Sequence, residues 1–129
     1  MHLVWQFQYL EILQLLLSHP GIDVNKCLNS YGINVLHIAC YDNLPQVVKL
    51  LLSHERIDVN IKAMTGSTAL ILACRMNYTE VAKLLLSHKN TDVNIRNNEG
   101  YSALYFAREA NCHELLQSLL SHPNIDTLL

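Results

Sequence analysis

The chain is poor in charge, glycine and proline, and each shortage excludes something. Only 16% of the 129 residues are charged, nine Lys and Arg against eleven Asp and Glu. A formal charge of −2 and a pI near 6.3 give none of the basic excess that nucleic acid or an anionic membrane surface attracts. No apolar stretch reaches the roughly 18 residues that read as a membrane span. The first residues lack the basic leader and small-residue cleavage site of a signal peptide. With four glycines there is no glycine-rich phosphate loop, and neither Gly-x-Ser-x-Gly nor His-Glu-x-x-His occurs. Half the residues are apolar, which sets the chain apart from disordered sequences.

Cys27, Cys40, Cys74 and Cys112 form no C-x-x-C pair, so spacing offers no zinc site. Cys40 and Cys74 stand 34 residues apart, at the same place in successive repeats. Packed helices lie about 8–10 Å apart, too far for a disulfide, which needs Cα atoms within about 7 Å. They read as small buried apolar residues in a reducing compartment. That places the protein inside the cell, in the cytoplasm first, with the nucleus open.

What the chain does have is one phrase written four times: Leu15-Leu-Leu-Ser-His19-Pro-Gly-Ile-Asp23, Leu50-Leu-Leu-Ser-His54-Glu-Arg-Ile-Asp58, Leu84-Leu-Leu-Ser-His88-Lys-Asn-Thr-Asp92 and Ser118-Leu-Leu-Ser-His122-Pro-Asn-Ile-Asp126. The Asp residues lie 35, 34 and 34 apart. A period in this range signals a stacked repeat, an architecture that offers an extended binding surface. Within residues 29–61, Tyr31-Gly32 has turn chemistry and Asn34 suits an N-cap. Val35, Leu36, Ile38 and Ala39 give a first helix one apolar face. Asn43 suits a left-handed helix stop, and Pro45 suits the first position of a second helix, which carries Val47, Val48, Leu50, Leu51 and Leu52. Ile57-Asp-Val-Asn60 is expected to run extended to the next turn. Thr68 and Ser102 repeat the cap, and Asn77 and Asn111 the stop.

Gly66-Ser-Thr-Ala-Leu70-Ile-Leu-Ala73, Gly32-Ile-Asn-Val-Leu36-His37-Ile-Ala39 and Gly100-Tyr-Ser-Ala-Leu104-Tyr-Phe-Ala107 resemble the ankyrin pattern Gly-x-Thr-Pro-Leu-His-x-Ala. Thr79-Glu-Val-Ala-Lys-Leu-Leu-Leu86 and Asp92-Val-Asn94 resemble the family's second helix and tail. The resemblance implies an all-α ankyrin-repeat solenoid with hairpin-like loops. Its units would be 29–62, 63–96 and 97–129 after a truncated first unit at 1–28. The family's Pro is absent (Val35, Ala69, Ala103), and only His37 keeps its His. One extra residue between Asn25 and Gly32 predicts a deformed hairpin at Lys26–Ser30. In register, Met1-His2-Leu3-Val4 falls where Leu-His-x-Ala belongs. Trp5, Phe7, Leu115, Leu116 and Leu119 make the ends less polar than caps, as expected of a fragment of a longer or partner-covered array, or of a small protein whose divergent ends serve as makeshift caps.

The resemblance also implies a binding surface, the concave groove of hairpin tips and first-helix edges. Carried over, it holds Tyr31, Ile33, Lys62, Met64, Thr65, Ser67, Arg96, Asn98, Glu99 and Tyr101, with Tyr41, Asp42, Arg75, Met76 and Glu109 from the helices. Tyr, Met and Arg are enriched in interfaces, and Lys62, Arg75 and Arg96 suggest a basic stripe for an acidic peptide. The expected function is non-catalytic binding of a partner protein, without cofactor, metal, nucleic acid or membrane insertion. Alternatives are a targeting or scaffold segment of a larger protein, and self-association through the end repeats. His19, His54, His88 and His122 form a ladder, but rungs about 10 Å apart cannot share a zinc with ligands about 2 Å away. They read as partners of the last helix carbonyls. Cys112-His113 lacks a third group to orient it as nucleophile and base. Asp23-Val-Asn25, Asp58-Val-Asn60 and Asp92-Val-Asn94 resemble ankyrin sites of asparaginyl hydroxylation, yet the same side chains read more simply as hairpin hydrogen-bonders.

Overall fold

The computed structural model describes residues 3–127. Met1, His2, Leu128, Leu129 and the side chains of residues 3–9, Trp5 and Phe7 among them, lie outside that description. Seven helices follow in order: α1 (Leu3–Leu17), α2 (Val35–Tyr41), α3 (Pro45–Leu52), α4 (Ala69–Arg75), α5 (Thr79–Ser87), α6 (Ala103–Ala110) and α7 (His113–Leu120). No strand occurs among the described residues. α2, α4 and α6 stand side by side as an inner row, and α1, α3, α5 and α7 as an outer row.

The helix boundaries follow from single residues. Asn34 accepts the His37 backbone N–H at 2.9 Å, while His37 Nδ1 accepts the Asn34 N–H at 3.1 Å, a capping box with histidine in the usual Glu or Gln role. Thr68 caps α4 and Ser102 caps α6 by the same bond. Each inner helix then stops at Asn43, Asn77 or Asn111, with φ of 55°, 60° and 54°, a left-handed conformation Asn adopts more easily than most side chains. Pro45 opens α3 at a position where its missing N–H costs nothing. In α1 the register of that stop falls on Gln8. With no Asn, Gly or Pro at that point the helix runs unbroken for 15 residues, and the first unit is one long helix rather than the remnant of a pair.

The repeated Ser-His phrase divides the work differently from the expectation. The serine hydroxyls donate to the last-turn carbonyls, Ser53 to Leu50 and Ser87 to Leu84 at 2.6 Å. The histidine rings accept instead: Nδ1 of His19, His54, His88 and His122 takes the N–H two residues on, at 3.0–3.1 Å. The Asp-Val-Asn tail is not extended either. Asp58 Oδ1 accepts the Asn60 N–H at 3.0 Å, closing a tight Asx turn. That turn aims Asn60 at the next loop, where its amide donates to Asn90 O and accepts from Asp92 N, both at 2.8 Å. Asn25 and Asn94 make the same pair of bonds one unit before and one unit after.

The hairpins carry the expected irregularity. Ala63 and Asn97 donate to Ser67 O and Tyr101 O, but in the first hairpin Leu28, not Asn29, donates to Ile33 O at 2.7 Å. The additional residue is absorbed there as a bulge. Gly66 has φ +80°, and a Cβ on it would lie 2.5 Å from Asn98 Oδ1, so the stacked hairpins admit only glycine at that point.

The core is a ladder between the rows. Leu36, Leu70 and Leu104 from the inner helices meet Leu51, Leu85 and Leu119 from the outer, with Ala39, Ala73 and Ala107 allowing close approach. Each fully buried leucine contributes about 1.5–3 kcal/mol of transfer energy. His37 lies in this core, its Nε2 2.9 Å from Ile61 O. Because Nδ1 accepts, Nε2 carries the proton and the ring is neutral.

Two outcomes follow. Asn60→Ala removes both inter-unit bonds and is expected to lower unfolding free energy by about 1–3 kcal/mol in urea titration. Asn60→Asp, which keeps only the acceptor, is expected to fall between. Burial holds the His37 pKa below 6.5, so below that pH the unfolded chain binds the proton more readily than the folded one. The stabilising contribution of neutral His37 is therefore present above pH 6.5 and lost as pH falls through it. His37→Gln, which can still close the capping box, is expected to lose less stability than wild type between about pH 7 and about pH 5 by the same titration.

Candidate protein-binding surface

A seven-residue inner helix cannot bury its whole circumference. In α2 the buried side holds Leu36, His37, Ala39 and Cys40, which leaves Ile38 outward. Its counterparts 34 and 68 residues on are Leu72 and Phe106, both half-buried. The three make an apolar row across the inner helices. Beside it runs a second row, Tyr41, Arg75 and Glu109, all exposed. Asp42 and Met76 stand at the helix ends.

The hairpin tips join this face. Met64 N donates to Tyr31 O at 2.7 Å, and Asn98 N to Thr65 O at 2.9 Å, so consecutive tips are tied by backbone bonds. Tyr31 and Met64 are among the most exposed large apolar side chains, 64% and 63%. Lys62, Thr65, Arg96 and Glu99 are exposed and Ile33 is half-buried. Ser67 is different: only 1% of it is accessible, because it occupies the hairpin stem whose carbonyl receives Ala63 N–H. Its side chain is not part of the surface. Asn98 is exposed, but its amide donates to Met64 O at 2.7 Å and is committed to holding the tips together.

At the other end of the face lies an aromatic cluster. Tyr101 and Tyr105 stack at 4.0 Å between ring centroids. Phe106 meets both edge-on, at 5.9 and 5.3 Å. The Arg75 guanidinium stands 5.9 Å from the centre of the Phe106 ring, within cation–π range. A hydrogen bond to Glu109 raises the Tyr105 phenol pKa, with burial and the Glu109 charge acting in the same direction. Arg75 is thus held in place by an aromatic ring. The basic residues Lys62, Arg75 and Arg96 share the face with Asp42, Glu99 and Glu109, so its charge is mixed.

Reading the sequence found Tyr31, Tyr41, Met64, Arg75, Met76 and Tyr101 on this face but missed Ile38, Leu72, Tyr105 and Phe106. Ile38 was assigned to the apolar side of its helix. The available signal was that α2 already has a full buried side without it.

Elsewhere, Cys40 and Cys74 are inaccessible, and burial pushes their thiols up to about 12. Cys112 is half-buried and its thiol lowered, chiefly by the Leu115 backbone N–H and then by the Thr79 hydroxyl. His19, His54, His88 and His122 are each taken up in their own turn. No group of three His, Cys, Asp or Glu placed to hold a metal occurs among the described residues. No helix among the described residues is long and apolar enough to cross a membrane.

Helix pairs stacked in one direction and joined by protruding hairpins define a repeat solenoid with a helical groove floor. The family model of ankyrin repeats (3 copies) matches residues 1–97 and 63–128, and the chain belongs to the ankyrin repeat family. Among similar solved structures is that of EF0377, an ankyrin repeat protein. It is 33% identical, with a TM-score of 0.78 over 87% of this chain and 58% of that one. The chain thus spans a little over half the length of that relative. No curated protein matches it. Ankyrin repeats are in general protein–protein interaction modules and not catalysts.

Thiol accessibility checks this geometry. In the native protein a thiol reagent is expected to modify Cys27, which is exposed, and Cys112. Cys40 and Cys74 are expected to react only at the rate of unfolding. Rapid reaction of all four would contradict the packing of α2 and α4.

Proposed function

We propose that this chain binds a partner protein through the face formed by the hairpin tips and the inner helices, units 29–62, 63–96 and 97–129 each supplying part of it. The observation that carries this reading is the run of exposed large apolar side chains on one face: Tyr31, Ile38, Tyr41, Met64 and Met76. Large contiguous apolar exposure marks interaction surfaces, and here it continues into Arg75 and the Tyr101–Tyr105–Phe106 cluster. Tyr, Met and Arg supply contact area with orientable polar ends. Stacking keeps the anchors nearly fixed, which lowers the entropic cost of binding. Mixed charge favours a partner whose apolar anchors are flanked by charges of both signs over a purely acidic one.

Peptide binders selected from a display library test the reading. Tyr41→Ala and Met64→Ala are each expected to weaken them about tenfold or more, near 1.4 kcal/mol. Lys49→Ala, on the outer row, should leave affinity unchanged. Binders insensitive to Tyr41 and Met64 but sensitive to Lys49 would overturn it.

A further inference from the structure

Six exposed charges stand on the face of hairpin tips and inner helices: Asp42, Lys62, Arg75, Arg96, Glu99 and Glu109. None of the six is in an ion pair among the described residues; the pair Lys83–Glu114, at 3.3 Å, belongs to the outer row. Arg75 is the one set among apolar groups. It ends α4 one turn after the half-buried Leu72, with Met76 next to it. Its guanidinium reaches over to α6, 5.9 Å from the centre of the Phe106 ring.

Two contacts decide what this guanidinium can do. The Phe106 ring steadies the side chain through its charge, and among the described residues no acceptor takes its N–H donors. The acid at the next rung, Glu109, is hydrogen-bonded to Tyr105 on its own helix and stands beyond ion-pair distance of Arg75. Arg75 is therefore an ordered cation without a counter-charge, in the middle of the apolar row Ile38, Leu72 and Phe106. A protein covering that row takes Arg75 out of water as well. A charge removed from water needs a charged, hydrogen-bonding partner, or its desolvation works against the complex.

We propose that the partner segment seated on this face carries a carboxylate, from Asp or Glu, between apolar side chains, and that Arg75 selects it. The carboxylate takes the guanidinium donors in the paired geometry that Arg offers and Lys does not. Its apolar neighbours lie on Tyr41 and Ile38 toward the first hairpin, and on Leu72 and Met76 beside the guanidinium. The site suits a carboxylate rather than a phosphate. A single guanidinium stands at that rung and Glu109 at the next, so one negative charge is balanced there and the nearly two of a phosphate are not. The inference rests on the binding-face reading and adds to it the chemistry of the partner.

The probes are peptides selected from a display library on the wild-type chain and weakened by Tyr41→Ala. They should share an Asp or Glu, and changing it to Asn or Gln should weaken binding about tenfold or more. On Arg75→Ala the same change should cost less than about threefold, as when two groups act as one pair. Arg75→Lys should recover only part of the affinity. Selection of the same library on Arg75→Glu should return Lys or Arg in place of the acid. Circular dichroism of the Arg75 variants matching wild type shows that lost affinity is not lost fold. Face binders with no shared acid, or with an acid that matters equally on Arg75→Ala, overturn the inference and leave the binding-face reading standing. Tighter binding with phosphoserine in place of the acid overturns the carboxylate assignment. A selection yielding only peptides indifferent to Tyr41→Ala and Met64→Ala overturns that reading and this inference with it.

Discussion

The contact between consecutive outer helices, α1 on α3, α3 on α5 and α5 on α7, is the interaction on which the rest of the structure rests. Helices of seven to nine residues are too short to be stable alone in water. A helix pair buries only part of its apolar surface within itself. The neighbour supplies the remainder, and the asparagine bridges from Asn25, Asn60 and Asn94 fix the spacing at which it does so. Stability is therefore close to a sum of units and joints.

The same contact sets the character of the inner face. Because the outer row takes up the leucine-rich stripe, each inner helix is free to turn one edge to solvent. Ile38, Leu72 and Phe106, with Tyr41, Arg75 and Glu109 beside them, appear at intervals fixed by the stacking. Hairpin tips bonded to one another through Tyr31, Thr65 and Asn98 extend that edge. A face built this way moves as a block, and its specificity resides in which side chain stands at each rung.

Much of this was legible in the residues. Caps at Asn34, Thr68 and Ser102 and stops at Asn43, Asn77 and Asn111 are local chemistry, decided within three or four residues, and they lie where the sequence places them. The deformation near Leu28 was visible as one surplus residue. What escaped needed knowledge of the third dimension. Ile38 has the spacing of a core residue, and only the packing of α2 on α4 shows that its side is already full. Ser67 has the composition of a loop residue but sits in a buried stem. The histidines of the Ser-His turns have a ring nitrogen on either side, and which partner each takes depends on loop geometry that spacing alone does not specify.

Native-state hydrogen exchange of the free chain measures the joints directly. If stability is carried by contacts with both neighbours, amides in α3, α4 and α5 exchange slowest, and those in α1 and α7 exchange faster by the free energy of a missing joint. Uniform protection across all seven helices would contradict the account, because it would mean that the chain unfolds as one indivisible core rather than as units held by their neighbours.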